Sequence, residues 1–331
     1  MLERKDKNVP IELKIVLIAV GSVTAVAATL YLLSLVVIPK ILYNILLTRK
    51  KKGKWGRECS LDDPIQRKMY DDGCAWGAKC EAYKKDVHIF YNGANLYGEY
   101  FDFGNRRAVV IIGGRQESLR YAYYFANEYA KNGYNVLTID QRAHGESDGV
   151  YNTVGHLEHK DLLEWTKYIH DEFNLEEIFY HGICIGSACA LYAITSEDCP
   201  DYVIGMVADG MFTQFRETFK NHIIEFKQPI HPFLEMVDFY MRRATGFTMN
   251  FGPIDVIHKM KKPLLMLHSR EDIYSRPELA EVLYEKCPSE HKEIVWFDHG
   301  AHSQLRIADT EKYDKAVGDF LKTLHPELAE V

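Results

Sequence analysis

Between Ile15 and Ile38 the sequence has no charged residue at all, although Asp, Glu, Lys and Arg make up 26% of the 331 residues. Nowhere do two cysteines stand in CxxC spacing, and the total of seven cysteines is odd. This argues against a fully paired disulfide framework and against the paired thiolates of a structural zinc site. No internal repeat and no low-complexity stretch is present. With 47% hydrophobic residues, collagen, a disordered tail and a short disulfide scaffold are excluded, and one large domain or two small ones with a sizeable core are allowed. Positive charge is also scarce where a nucleic-acid binder would need it. Residues 1–57 hold 11 Lys and Arg against 3 Asp and Glu, whereas residues 58–331 hold 29 against 44. The overall charge of −7 joins a basic leader to an acidic body, and such a body has no basic face for phosphates.

The uncharged run of 24 residues extends, as a helix, beyond the roughly 30 Å of a hydrocarbon core. It is expected to be a transmembrane helix spanning 15–38, preceded by a flank over 1–14. Ala25, Ala27 and Ala28 resemble a signal-peptide cleavage site, but apolar residues continue to Ile38, past the roughly 7 to 15 residues of such a peptide's apolar region. A buried core helix is the other reading; an all-round apolar run ahead of the folded region argues against it. Arg4, Lys5, Lys7 and Lys14 lie upstream, and Lys40, Arg49, Lys50, Lys51, Lys52, Lys54 and Arg57 downstream. That imbalance favours a cytoplasmic body, with Arg49 to Lys54 near anionic headgroups. Residues 39–85 read as a basic juxtamembrane linker followed by an irregular segment carrying Cys59, Cys74 and Cys80.

From residue 86 strands and helices alternate. Asp86–Tyr91 and Leu96–Phe101 flank the turn signal Asn92-Gly93 and read as a hairpin. Further strands are expected at Ala108–Ile112, Asn135–Asp140, Glu177–Tyr180, Val203–Ala208, Pro263–His268 and Glu293–Phe297. Leu162, Leu163, Thr166, Ile169, His170 and Phe173 recur at helical spacing, as do Tyr313, Val317, Phe320, Leu321 and Leu324. The class is therefore α/β, with a mostly parallel eight-stranded sheet flanked by helices. Such sheets hold ligands beyond the carboxyl ends of their strands, so the junctions there carry the functional information.

Four junctions stand out. After Glu177–Tyr180 comes His181-Gly182-Ile183-Cys184-Ile185-Gly186-Ser187, the pattern of a nucleophile elbow, in which Gly182 and Gly186 are needed because side chains there would collide. Cys184 occupies the nucleophile position; a helix N-terminus and a nearby imidazole favour the reactive thiolate. After Pro263–His268 comes Asp272, with Glu271 as a rival. After Glu293–Phe297 comes His302, with His299 as a rival. His302 would take the proton of the nucleophile and Asp272 would orient the imidazole, in the chain order nucleophile, acid, histidine. After Ala108–Ile112, Gly113-Gly114-Arg115-Gln116 would bring the backbone amide of Arg115, together with that of Ile185, to a developing oxyanion.

On these residues the chain resembles the α/β-hydrolases, specifically bacterial membrane-anchored hydrolases similar to serine aminopeptidases and monoacylglycerol lipases. Gly133-Tyr134-Asn135-Val136-Leu137 leading to Asp140-Gln141-Arg142-Ala143-His144-Gly145-Glu146-Ser147 adds to the likeness, which covers residues 86–326. The resemblance implies a short helical cap, here about 212–260. Two departures stand out. Gly113-Gly114 replaces the usual His-Gly, and Cys184 replaces serine, as in dienelactone hydrolases, polyhydroxyalkanoate synthases and bile-acid acyltransferases, which this elbow resembles.

The expected function is hydrolysis of an ester or thioester of a small-molecule or lipid-like acyl substrate, through a Cys184–His302–Asp272 triad and an acyl-enzyme, with no cofactor and no metal. An acyltransferase using the same cysteine and an inactive hydrolase-fold binding protein are the alternatives. Asp140, Arg142 and His144 are expected to brace their loop, His181 to be a packed, hydrogen-bonded residue, Cys189 to be core, and the Arg115 side chain to be solvated. Phe212, Phe215, Phe233 and Met236 suit either core or acyl pocket.

Overall fold

A computed structural model of the chain describes residues 10–51, 53–59 and 63–325. Most of the flank 1–14, with Arg4, Lys5 and Lys7, lies outside the described residues, as do Lys52 and Pro326.

Eight strands form one sheet: β1 (Lys84–Tyr91), β2 (Ala94–Phe101), β3 (Arg107–Ile112), β4 (Asn135–Ile139), β5 (Glu177–Ile183), β6 (Val203–Asp209), β7 (Leu264–Ser269) and β8 (Lys292–Phe297). Their order is β1-β2-β4-β3-β5-β6-β7-β8, with β2 antiparallel to both neighbours and every other pairing parallel. The helices are α1 (Ile11–Leu47), α2 (Pro64–Lys79), α3 (Leu119–Ala122), α4 (Ala126–Lys131), α5 (Glu158–Phe173), α6 (Ile185–Ile194), α7 (Phe215–Glu225), α8 (Ile230–Thr245), α9 (Pro253–Val256), α10 (Pro277–Lys286), α11 (Leu305–Ala308) and α12 (Thr310–Leu324). This is the α/β-hydrolase architecture the sequence predicts.

The central strands are apolar throughout because both faces are covered. Val109 and Ile111 of β3 point to one apolar layer with Tyr129 of α4 and Phe320 of α12, and Ala108, Val110 and Ile112 point to the other with Leu162 of α5 and Leu283 of α10. A parallel, doubly covered sheet leaves its strand ends as the places where loops can carry polar side chains.

The segment 39–85 differs from the expected linker and irregular stretch. α1 is continuous across Pro39 to Leu47, and its last turns bury Leu42, Tyr43, Leu46 and Leu47 against the body, where α1 packs on α8. The basic residues that follow are folded in as well. The Arg49 side chain donates to the carbonyls of Gly145 (2.9 Å) and Ser147 (2.5 Å) and is buried. Lys54 Nζ reaches back to the carbonyls of Asn44 (2.8 Å), Ile45 (2.7 Å) and Thr48 (2.5 Å), serving the orphan acceptors at the end of α1. Arg57 lies on the Tyr97 ring (4.1 Å) between Glu99 (3.5 Å) and Asp140 (3.6 Å). Arg49 and Lys54 therefore point into the body and not at headgroups. α2 then stands where irregular chain was expected: Asp63 caps it by accepting from the amides of Ile65 (2.8 Å) and Gln66 (3.4 Å), and Pro64 supplies its first residue.

The other end of α1 behaves differently. Its side chains from Ile11 to Leu33 are exposed, including Ile15, Leu17, Ile18, Val23 and Leu30. Among the described residues it is the one helix long and apolar enough to cross a membrane.

Between β6 and β7 the chain makes α7, α8 and α9. Phe212 and Phe233 are buried core, Met236 is half-buried, and Phe215 is buried while also lining the cavity described next.

Candidate active site

β5 ends at Ile183 and α6 begins at Ile185, so Cys184 alone makes the turn, with φ 54° and ψ −113°. A non-glycine residue held there stores about 1–3 kcal/mol of backbone strain. The turn is possible only with bare neighbours. A Cβ on Gly182 would lie 2.3 Å from the carbonyl oxygen of Gly186, and one on Gly186 would lie 2.2 Å from that of Ile112. Hydrogen bonds fix it: Cys184 N–H donates to the Asp209 carbonyl (2.9 Å), and the Ser187 hydroxyl donates to the Gly182 carbonyl (2.6 Å). Cys184 thus stands at the N-terminus of α6, beside the free amides that open the helix.

Cys184 lines a cavity of about 330 Å³ whose wall also includes Arg115, Glu117, Tyr274 and His302. His302 Nδ1 lies 2.7 Å from Asp272 Oδ2, and its buried Nε2 has no hydrogen-bond partner among the described residues. Asp272 Oδ1 accepts from the amides of Tyr274 (2.8 Å) and Ser275 (2.9 Å). Although burial opposes its charge, His302 and these two amides hold the Asp272 carboxyl below its ordinary range. Burial also opposes the imidazolium of His302, but the charges of Cys184 and Asp272 outweigh it and raise His302 well above its ordinary value. The rivals stand apart: His299 and Glu271 pair with each other at 3.2 Å, both exposed.

The loop after β3 approaches from the other side. Gly114, Arg115, Gln116 and Glu117 line the cavity, and Ile185 provides the first amide of α6. The Arg115 side chain is not the solvated group the sequence suggested. It is half-buried, its Nη2 lies 3.1 Å from His222 Nε2 of the cap, and its buried Nη1 has no hydrogen-bond partner among the described residues. Burial, with Arg115 adding to it, pushes His222 down to about 4, so that ring is neutral and can accept from the guanidinium.

The remaining residues singled out in the sequence fall outside the cavity. His181 is buried between Tyr129 (2.9 Å) and Tyr313 (3.1 Å), and Cys189 is buried in the sheet's other layer. Arg142 is paired with Asp161 (2.5 Å), and Asp140 accepts from the Leu119 amide (2.8 Å). Sequence reasoning missed Asp63, Gln66, Glu117 and Gln304, all of which line the cavity. The one available signal was Glu117 itself, a carboxylate three residues beyond a double glycine at a strand end. Gln66 lies 51 positions before its partner Glu117 and gives no local sign.

Residues 104–245 match the family model described as serine aminopeptidase, S33. The uncharacterized protein YqkD of Bacillus subtilis is 30% identical over 212 residues, covering 63% of this chain and 67% of that protein. A monoglyceride lipase of Saccharomyces cerevisiae is 21% identical over 269 residues, 66% of this chain and 84% of the lipase. Among solved structures, an esterase of Pyrococcus furiosus superposes with a TM-score of 0.63 at 25% identity, covering 75% of this chain and 93% of the esterase. With the eight-stranded sheet, these likenesses place the protein: it is a hydrolase belonging to the α/β-hydrolases, among the serine-aminopeptidase-like and esterase- or lipase-like enzymes.

Proposed function

We propose that the protein is a membrane-anchored thiol hydrolase that cleaves ester or thioester bonds of lipid-like acyl substrates through Cys184, His302 and Asp272. The observation that carries this is the buried Asp272–His302 pair, whose histidine lines the same cavity as Cys184. The Cys184 thiolate attacks the substrate carbonyl, and the negative charge that moves onto oxygen is met by the amides of Arg115 and Ile185. His302, protonated, gives its proton to the departing alcohol or thiol as the carbonyl re-forms, leaving a thioester on Cys184. The now neutral imidazole draws a proton from water, whose oxygen attacks the thioester. Collapse returns the acid, the thiolate and the imidazolium. Asp272 holds one ring orientation throughout and compensates the charge.

Lipid-like substrates are supported by the names of the relatives, a monoglyceride lipase and an esterase. The exposed apolar half of α1 supports a single-pass anchor. The test is p-nitrophenyl butyrate: a burst of nitrophenol equal to the enzyme, a thioester mass on the peptide carrying Cys184, and loss of both after iodoacetamide. Turnover that survives full alkylation of Cys184 would falsify the assignment.

A further inference from the structure

The loop that carries Arg115 is held by bonds to its other backbone groups. The Gly113 carbonyl accepts from Gln141 Nε2 (2.7 Å), the Gly114 amide donates to Glu117 Oε2 (2.7 Å), and the Gln116 amide donates to His144 Nε2 (3.2 Å). The amide between these two anchored ones is that of Arg115. Its direction is therefore set by Glu117 on one side and His144 on the other.

Both of those side chains are held in turn by the segment between α1 and β1. On α2, Gln66 Nε2 donates to Glu117 Oε1 (2.8 Å). Ahead of α2, Trp55 stacks on the His144 ring, with centroids 4.9 Å apart and planes at 16°, and its carbonyl accepts from the Gly145 amide (2.8 Å). The state of His144 suits the task. Burial pushes it down to about 4, so the ring is neutral, with Nδ1 donating to the Arg142 carbonyl (3.0 Å) and Nε2 free to accept from Gln116. A third tie runs to the opposite wall, where Gln304, two residues past His302, donates to Asp63 (2.8 Å).

We infer that Trp55 and Gln66 are positioning residues for the reaction, fixing the oxyanion loop through Trp55–His144–Gln116 and Gln66–Glu117–Gly114. The segment that links the apolar helix to the sheet thereby completes the active site, although it supplies no reacting atom. The inference rests on the acyl-enzyme reading above. Loss of a whole oxyanion donor costs about 10²- to 10³-fold in comparable enzymes, and a donor misdirected by a freed loop should cost part of that.

Two reactions of the same thiol separate this role from a general structural one. Acylation by p-nitrophenyl butyrate builds an oxyanion and needs the loop. Alkylation by iodoacetamide displaces iodide at a saturated carbon and needs only the thiolate. Gln66→Leu, Glu117→Ala and Trp55→Ala should each lower kcat of acylation about 10- to 100-fold, with KM nearly constant. Their alkylation rates should stay within about twofold of the wild type, since none of them alters the Cys184 turn or the Asp272–His302 pair. Glu117→Gln and Trp55→Phe should recover most of the loss, because one keeps an acceptor for Gly114 and the other keeps a stacking ring. Gln66→Leu, on a helix outside the sheet, reports even where Glu117→Ala fails to fold. The inference is overturned if these variants acylate at the wild-type rate, or if alkylation falls in step with acylation. A wild type that gives no acylation at all overturns the acyl-enzyme reading, and this inference with it.

Discussion

The elbow and the tether are built on opposite plans. Around Cys184 a seven-residue stretch, 181–187, holds the residues that make the turn: two glycines permit it, and the Ser187 hydroxyl and the Cys184 amide tie it down. Across residues 39–83 no stretch carries anything by itself. Its contribution is made by single side chains, among them Arg49, Trp55 and Gln66, each meeting a partner far away in sequence, while Lys54 closes the end of α1. Tight backbone geometry shows in the sequence because it demands bare residues at fixed spacing, whether the atom they avoid is nearby, as for Gly182, or on another strand, as for Gly186. Long side chains can act at a distance, so Asp63 and Gln66, in a stretch without a local motif, still line the candidate cavity.

That contrast can be broken or sharpened by substitution, beginning where the effect is largest. Cys184→Ala should lower turnover of p-nitrophenyl butyrate by about 10⁴-fold or more, with little change in Tm; retained turnover would mean that the elbow does not carry the chemistry. His302→Ala should cost about 10²- to 10⁴-fold in the same turnover. The same variant gives a stability test. His302 is held above its ordinary value of about 6.5, so its stabilisation is complete below that pH and fades as pH rises through the raised value. The Tm difference between wild type and variant should therefore shrink on the alkaline side, and a constant difference would dismiss the charge pair.

On the tether the effects move from rate to stability. Leu47→Ala removes a fully buried side chain and should cost about 2–5 kcal/mol in denaturant melts; a flexible linker would show almost none of this. Arg49→Met strands the Gly145 and Ser147 carbonyls and should cost about 1.5–3 kcal/mol. Lys68→Ala on the outer face of α2 breaks only an exposed ion pair with Asp72 and should leave the melt unchanged. It is the control against which the other two are read.

The sheet and the junctions were legible because they obey short-range rules. Every expected strand appears within three residues of its predicted bounds, and Asp272 and His302 come together at 2.7 Å from loops that sit side by side after β7 and β8. α2 was not legible, for a physical reason. Gly73 and Gly77, each worth about 1 kcal/mol against a helix, lie where a Cβ would come within 2.9 Å of the Tyr124 amide and 2.7 Å of the Tyr123 ring. They weaken the helical signal and at the same time allow the close approach that makes the helix stable. The cavity residues Gln66, on α2, and Gln304, just ahead of α11, were invisible for another reason: an uncharged amide looks like any solvated residue until its partner arrives from elsewhere in the chain.

The continuity of α1 has a mechanical meaning. A disordered leash would let the body sample a volume; on the proposed anchor, a helix running from Ile11 to Leu47 without interruption, its end packed on α8 and tied by Lys54, would hold the body at one height and one heading. From Ile38 to Leu47 the helix rises roughly 14 Å at 1.5 Å per residue, and each added residue would turn everything beyond it by about 100°. One alanine inserted in that stretch would change the azimuth of the catalytic mouth far more than its altitude, so activity on substrates held in a bilayer should vary with the number of inserted residues in a helical period, while activity on dissolved esters should not.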